Sequence, residues 1–232
     1  MSREPLITKP ESGYWTDAYP ELGRGPISLD DCVSPEFYEK EREHIFKKNW
    51  LYVGRLEQLP KPGSYFTREL KVLDTSVLIV KGNDEVVRAF HNICPHRGNK
   101  LMWKDDPFLE TEGTAPRLYC RFHGWRYNLD GSLISPTRKD LLLDFEPGSC
   151  SVPLIQCEVW EGFIFINLNR DNTESVKDFL GEFASGVEGY PFKGPHQVYK
   201  FRAEIQCNWK IFMDGFAESY HGPYLHAGTF KA

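Results

Sequence analysis

The sequence predicts an α+β chain. A mostly antiparallel β region, residues 50–170, lies between an N-terminal arm with one helix (1–49) and a helical stretch (171–232). Three observations lead there. Short β-rich segments recur between 50 and 168, separated by turn signals such as Pro62-Gly63, Gly82-Asn83-Asp84 and Asp130-Gly131. Helical spacing of apolar residues returns after about 170, at Val176, Phe179, Leu180 and Phe183, and again at Trp209, Phe212, Phe216 and Tyr220. The 232 residues are 41% hydrophobic, 14% aromatic and 26% charged, a balance that supports a packed core rather than disorder.

Residues 1–33 are rich in Pro, Gly and Ser and read as an extended arm. Ser34 as N-cap, Pro35 at the first helical position and Glu36 in the first turn start a helix that should end near Asn49. Strands are expected at 50–54, 64–70, 76–81, 85–91, 117–120, 124–128 and 132–135. Asp130-Gly131 signals a type I′ hairpin. Segments 152–156 and 158–168 read as a closing hairpin whose second strand is apolar on both faces, Ile164, Ile166 and Leu168 against Phe163 and Phe165. Beyond the boundary near 170, an amphipathic helix is expected over 173–186, a strand over 198–206 and a helix over 207–221, broken or kinked by Pro223.

The formal net charge of −5 argues against a basic nucleic-acid surface. The longest apolar runs, Val77–Val80 and Phe163–Ile166, are far too short to span a bilayer. The opening MSREPLITKP has no apolar signal region, so the expectation is a soluble cytoplasmic protein without membrane or nucleic-acid partners. Of six cysteines, Cys32, Cys94, Cys120, Cys150, Cys157 and Cys207, most read as small buried hydrophobes rather than a disulfide framework.

Two cysteines stand apart. Cys94-Pro95-His96 and Cys120-Arg121-Phe122-His123 each put one thiol and one imidazole on a loop after a strand, which together make a four-ligand metal clamp. A structural zinc site is one reading. Zinc sites usually pair Cys with Cys and His with His along the chain. One of each per loop suits a Rieske 2Fe–2S cluster, in which two cysteines hold one iron and two histidines the other.

CPHRG (94–98) and CRFHGW (120–125) resemble the ferredoxin and oxygenase branch of the Rieske family. The resemblance implies Cys94 and Cys120 on one iron, His96 and His123 on the other, and Trp125 packed beside the cluster. Twenty-three residues separate His96 from Cys120, more than is usual in this branch. The surplus, around Lys104–Pro107 and Glu110–Pro116, is polar and reads as a surface insertion. The extra loop cysteines of respiratory Rieske proteins are replaced by Asn99 and Phe122, and their serine by Trp125. Fewer hydrogen bonds to sulfur predict a potential of roughly −150 mV rather than +300 mV.

Near the C-terminus stands NWKIFMDGFAESYHGPYLH (208–226). Two imidazoles and a carboxylate form the facial triad of non-haem Fe(II) oxygenases, and the Gly222-Pro223 break lets His221 and His226 turn towards each other. Asn208-Trp209-Lys210 followed by Glu218, His221 and His226 resembles the iron motif of Rieske non-haem iron oxygenase α subunits. The resemblance covers the chain from about residue 34 and implies a helix-grip-like catalytic domain that begins after residue 170. It implies mononuclear Fe(II) on His221 and His226, and Glu218 as a bridge between subunits; Asp214 and Asn208 are weaker second candidates. The third, carboxylate ligand is expected downstream, so the chain reads as about the first half of such a subunit, with an aromatic helix face left uncovered.

The function implied is the terminal oxygenase of a multicomponent system, in the full form a homotrimer. NAD(P)H would supply electrons through a reductase, with or without a ferredoxin, and O2 would be used to hydroxylate, dihydroxylate or demethylate an organic, foremost aromatic, substrate; a quaternary amine, which would want an aromatic cage, stays open beside an aromatic ring. Two other readings stay open: a Rieske ferredoxin-like electron carrier without oxygenase chemistry, and a zinc-stabilised interaction module.

Overall fold

The computed structural model describes residues 10–143, 145–192 and 203–229. Seven short helices are described: α1 (Trp15–Ala18), α2 (Asp30–Val33), α3 (Pro35–Glu41), α4 (Val176–Leu180), α5 (Glu182–Val187), α6 (Trp209–Ala217) and α7 (Gly222–Leu225). Ten strands accompany them: β1 (Leu51–Arg55), β2 (Ser64–Leu70), β3 (Thr75–Lys81), β4 (Val87–His91), β5 (Glu112–Thr114), β6 (Leu118–Tyr119), β7 (Arg126–Tyr127), β8 (Leu133–Ser135), β9 (Leu154–Trp160) and β10 (Phe163–Asn167). Antiparallel pairing gives a seven-stranded sheet, β1-β10-β9-β4-β3-β2-β5, and a small one, β6-β7-β8. No described helix is long and apolar enough to cross a membrane.

Residues 77–80 of β3 explain the core. All four are fully buried, and successive side chains of a strand face opposite ways. Val77 and Ile79 join Val53, Phe66, Ala89, Ile155, Ile164 and Ile166 in one cluster. Leu78 and Val80 join Tyr65, Phe90, Leu118, Trp125 and Tyr127 in the other, which also takes in Cys94 and Cys120. The large sheet thus has a second core on the face that carries the Cys–His loops. Burying one such aliphatic side chain contributes roughly 1.5–3 kcal/mol.

Turn chemistry differs from expectation at two hairpins. At Asp130-Gly131 the loop has three residues. Asn128 N–H bonds Ser132 C=O, Gly131 N–H bonds Asn128 C=O, and in that loop only Gly131 has a positive φ, +86°. A type I′ turn needs positive φ at both central residues, so this is a type I turn followed by one left-handed residue. The I′ geometry belongs instead to Glu161-Gly162, with φ of 47° and 80° between paired Trp160 and Phe163. That moves the closing hairpin to 154–160 and 163–167. In β10 Ile164, Ile166 and Asn167 are buried; Phe163 and Phe165 are half-buried and meet Tyr52 edge-on at 5.8 and 5.9 Å.

The helices are shorter than their periodicity suggests. Ser34 caps α3 through Phe37 N–H at 3.1 Å, as expected. The α-helix ends at Glu41 and continues as a wide turn, Arg42–Phe46, where Lys47 N–H bonds Arg42 C=O five residues back. Gly181, with φ 56° and ψ −128°, a region only glycine adopts freely, splits the expected 173–186 helix in two and leaves Phe183 65% exposed. Residues 203–206 are not in a strand, and the remainder of that expected strand, 198–202, lies outside the described residues. The expected surface insertion also contributes structure: β5 pairs with β2, and beside it Thr67 N–H donates to Thr111 C=O while Thr111 N–H donates to Thr67 Oγ1, both at 2.8 Å.

Contacts divide the chain into two compact units, 1–3 with 42–194 and 4–41 with 195–232. The larger unit runs past the expected boundary near 170. Within it, Trp50 Nε1 donates to Glu174 C=O at 2.9 Å, and Val176 N–H to Glu158 Oε2 at 2.9 Å. Within the smaller, the N-terminal arm folds with the C-terminal helices.

Gly131 offers a direct check of this core. A Cβ there would stand 2.6 Å from Cε1 of buried Phe90, at a left-handed φ. Gly131→Ala should therefore destabilise the larger unit by about 2–5 kcal/mol, the sum of left-handed strain and overpacking. Urea unfolding followed by tryptophan fluorescence should show the lower midpoint.

Candidate metal centres

Both Cys–His loops are closed by the same pair of backbone bonds. Cys94 N–H bonds Asn99 C=O at 2.7 Å, and Gly98 N–H bonds Cys94 C=O at 2.9 Å. In the second loop Cys120 N–H bonds Trp125 C=O and Gly124 N–H bonds Cys120 C=O, both at 2.9 Å. The glycine four residues after each cysteine has φ of +74° in both loops, a left-handed turn that a side chain would strain. Loop 94–99 follows β4, and loop 120–125 joins β6 to β7.

The donors that result are unusual. Cys94 and Cys120 are each 1% exposed, deep in the second core. His96 and His123 have ring centroids 4.7 Å apart. Both Nδ1 atoms are buried and have no hydrogen-bond partner. A buried imidazole nitrogen without a partner costs roughly 1–3 kcal/mol, so such a pair suits the role of metal ligands. Burial, and then the neighbouring His123, lower the His96 pKa, which favours the neutral ring that a metal needs. Burial is also the largest influence on Cys94 and raises its pKa. Two thiols and two free ring nitrogens fit a 2Fe–2S group. Among the described residues, no three His, Cys, Asp or Glu side chains gather as ligands of one ion. Thiols in the core and imidazoles at its rim suit two metal atoms with two protein ligands each.

Two contacts to the sulfurs escaped the sequence reading. Tyr127 Oη lies 3.1 Å from Cys94 Sγ. Burial and that thiol push the phenol pKa up, which keeps its proton available for donation. Asn99 Nδ2 points at Cys120 Sγ from 4.0 Å, a long contact even for sulfur. The signal for Tyr127 was the alternation of buried Trp125, Tyr127 and Leu129 with exposed Arg126 and Asn128. Trp125 is both core and neighbour: it is 3% exposed, stacks on His96 at 4.5 Å and 4°, and meets Phe145 edge-on. Cys157, by contrast, is a partly buried thiol on β9, its pKa pushed up to about 12 by desolvation and the charge of Glu158, and takes no part.

The second centre lies in the smaller unit. Helix α6 ends at Ala217, earlier than expected, and Pro223 opens α7 rather than ending α6. Proline in a first helical turn loses no hydrogen bond, so the break falls at 218–221. The short α7 puts His221 at its N-cap and His226 at its C-cap, with ring centroids 5.3 Å apart. Glu218 Oε1 bonds His221 Nδ1, and its Oε2 accepts from Tyr220 N–H and from His221 N–H, the latter at 3.2 Å. The His221 bond is the main reason that the Glu218 pKa is lowered. With Nδ1 engaged, Nε2 is the ring nitrogen left for a metal. The two rings, Glu218 and Phe216 line an open pocket of 770 Å³.

The root of α6 is anchored to the arm. Asn208 caps the helix through Lys210 N–H and donates to Cys32 C=O, both at 3.0 Å, so it serves as a cap and anchor. Glu41, 3% exposed, accepts from Trp209 Nε1 at 3.2 Å and from Lys210 Nζ at 2.5 Å. Lys210 also sits 5.1 Å from the Phe37 ring centroid. Asp214 is exposed, and Phe212 and Phe216 touch at 4.9 Å while remaining 42% and 75% exposed.

Comparison with known proteins matches this division of labour. Residues 49–145 match the Rieske [2Fe-2S] domain family, and residues 192–232 match the ring hydroxylating alpha subunit (catalytic domain) family. The carnitine monooxygenase oxygenase subunit of Acinetobacter pittii is 35% identical over 199 residues, 84% of this chain and 51% of that protein. The chloroplastic choline monooxygenase of Beta vulgaris is 32% identical over 84% of this chain and 43% of its own length. Among solved structures, the quaternary ammonium Rieske monooxygenase CntA in complex with L-carnitine superposes with a TM-score of 0.77 at 32% identity, over 86% of this chain and 55% of that one. A naphthalene 1,2-dioxygenase variant bound to phenanthrene gives 0.70 at 28% identity, over 84% and 44%. The chain spans about half the length of the curated relatives it matches. With a Rieske domain carrying both Cys–His loops, followed by the opening of a ring-hydroxylating catalytic domain, it belongs to the Rieske non-haem iron oxygenase α-subunit family.

Proposed function

We propose that this chain is the cluster-bearing part of a terminal oxygenase that oxidises a quaternary ammonium compound, with electrons from NAD(P)H delivered by a reductase partner. The observation that carries the reading is the pairing, in one chain and in family order, of two sites. One is a buried Cys2His2 donor set with unpartnered ring nitrogens; the other is a carboxylate-oriented histidine pair. When bound, the 2Fe–2S cluster and a mononuclear Fe(II) supply one-electron transfer and dioxygen activation.

In this reading Cys94 and Cys120 hold one iron of the cluster, and His96 and His123 the other. Tyr127 donates to the Cys94 sulfur and holds the loop in register. His221 and His226 supply two of the mononuclear iron's ligands, and Glu218 fixes the His221 tautomer by accepting its Nδ1 proton. Its remaining capacity as an acceptor suits the bridge to a neighbouring subunit in a homotrimer. A CntA structure reported with inter-subunit electron transfer, at 31% identity, supports that assembly.

The substrate class is revised from the sequence. The enzymes named above for carnitine and choline, and a glycine betaine monooxygenase subunit, all act on quaternary ammonium compounds or their kin and reach 35% identity. The naphthalene dioxygenases reach 28%. An aromatic hydrocarbon therefore has weaker support. Exposed Phe216 beside His221 suits a cation, since an aromatic face attracts a quaternary ammonium group. The pure electron carrier gives no role to residues 192–232, which match a catalytic domain.

Iron and acid-labile sulfide should be found together, and dithionite reduction should give a rhombic EPR signal typical of mixed Cys/His ligation. Zinc with no signal would overturn the cofactor reading. Tyr127→Phe should keep the signal and lower the midpoint potential by some tens of millivolts, because a donor to the thiolate favours the more negative, reduced state. An unchanged potential would remove Tyr127 from the tuning. In the full subunit, Glu218→Gln should leave iron content intact and lower turnover by orders of magnitude, and L-carnitine or choline, rather than naphthalene, should stimulate oxygen uptake.

A further inference from the structure

The surplus residues between the two Cys–His loops build a wall beside the second loop. An open groove of about 600 Å³ runs between Met102–Lys104 and Ala115–Arg117 on one side, and Tyr119, Arg121 and Arg126 on the other. Four cationic side chains line it: Lys104, Arg117, Arg121 and Arg126. No carboxylate does. Arg117, Arg121 and Arg126 are all exposed, and none of the four makes an ion pair among the described residues. Arg121 is held in place rather than loose. Its guanidinium lies 4.4 Å from the Trp103 ring centroid, and its Nη1 donates to Lys104 C=O at 2.9 Å. The Trp103 indole N–H, on the same wall, is buried without an acceptor.

This concentration is unexpected in a chain of net charge −5. Like charges repel, and uncompensated cations on one face cost stability that a monomer gains nothing from. The position supplies the reason. Tyr119 and Arg121 flank Cys120 directly, so an object seated in the groove lies against the backbone of a cluster-bearing residue.

We propose that this groove is the docking surface for the acidic face of the electron-donor protein, and that the insertion serves to build it. The inference rests on the Rieske reading given above. A donor bound there passes one electron: the donor is oxidised by one, the cluster reduced by one, and no atom or proton need move between them. Charge complementarity supplies the speed and orientation of encounter more than raw affinity, so the contact should be strongly salt-dependent.

The test uses the complete chain with its cluster, and a strongly acidic plant-type 2Fe–2S ferredoxin as probe. Binding is followed by calorimetry at low and high salt, and cluster reduction by stopped-flow absorbance. Lys104→Glu with Arg117→Glu reverses two groove charges away from the Cys120 loop. Arg170→Glu reverses an exposed charge outside the groove. The groove variant should bind the ferredoxin, and be reduced by it, on the order of tenfold less well at low salt, with the difference vanishing at high salt. Its visible spectrum and its reduction by dithionite should be unchanged, and Arg170→Glu should behave as the parent. Equal loss in both variants, or none in either, would overturn the docking site. So would a change in oligomeric state in the groove variant, which would make the groove a contact between copies. A parent chain without a 2Fe–2S spectrum would overturn the cofactor reading and this inference together, whereas a normal spectrum with charge-independent binding overturns the docking site alone.

Discussion

Each Cys–His loop hangs on its cysteine's own peptide group. The cysteine N–H takes a carbonyl five residues on, and its C=O takes the N–H of the glycine before that carbonyl. Two bonds of this kind bend the chain tightly enough to press the thiol into the core while the imidazole stays at the rim. Because the two loops repeat the device, their donors come out in matched positions, sulfur inside and nitrogen outside. Left-handed glycines at 98 and 124 make the bend possible without strain.

The rest of the larger unit supports these loops. Leu78, Val80 and Phe90 raise a floor under Cys94 and Cys120, and Trp125 and Tyr127 form a side wall. The wall has chemical as well as packing content, since one ring stacks on His96 and the other reaches the Cys94 sulfur. A thiolate in such a low-dielectric place is costly unless a metal or hydrogen bonds compensate it. Burial and ligand chemistry are thus two sides of one arrangement, and the sheet's second core exists where the cofactor needs a dry base.

The smaller unit solves a different problem. A pair of histidines five residues apart cannot share a helix face, so the helix is broken and restarted around them, with Glu218 closing the break. Its root is tied to the arm through Glu41, a buried carboxylate with one indole and one ammonium partner. Removing one partner from such a buried pair typically costs roughly 3–5 kcal/mol. The Asn208-Trp209-Lys210 motif is therefore the anchor for α6, and the residues that face the pocket lie beyond it.

The sequence alone was enough to identify the antiparallel β region, both Cys–His pairs and the His221/His226 pair, because each depends on local spacing and on residue types with few other uses. It also revealed Ser34 as a cap and 76–81 as a strand, whereas the strand buried on both faces proved to be this one, at Val77–Val80, and not the 158–168 segment for which it was expected. What it misjudged were features decided by partners distant in the chain. The I′ turn sits at Glu161-Gly162 rather than Asp130-Gly131, because strand register, not the dipeptide, selects turn type. The helix expected to end at 49 leaves α geometry at Glu41, the residue that Trp209 and Lys210 hold. Tyr127's contact with Cys94 and the cation-lined groove beside Cys120 both join segments that only folding brings together. Spacing along a chain encodes which atoms can act; tertiary packing decides which of them meet, because burial and unpaired polar groups are settled between segments and not within them.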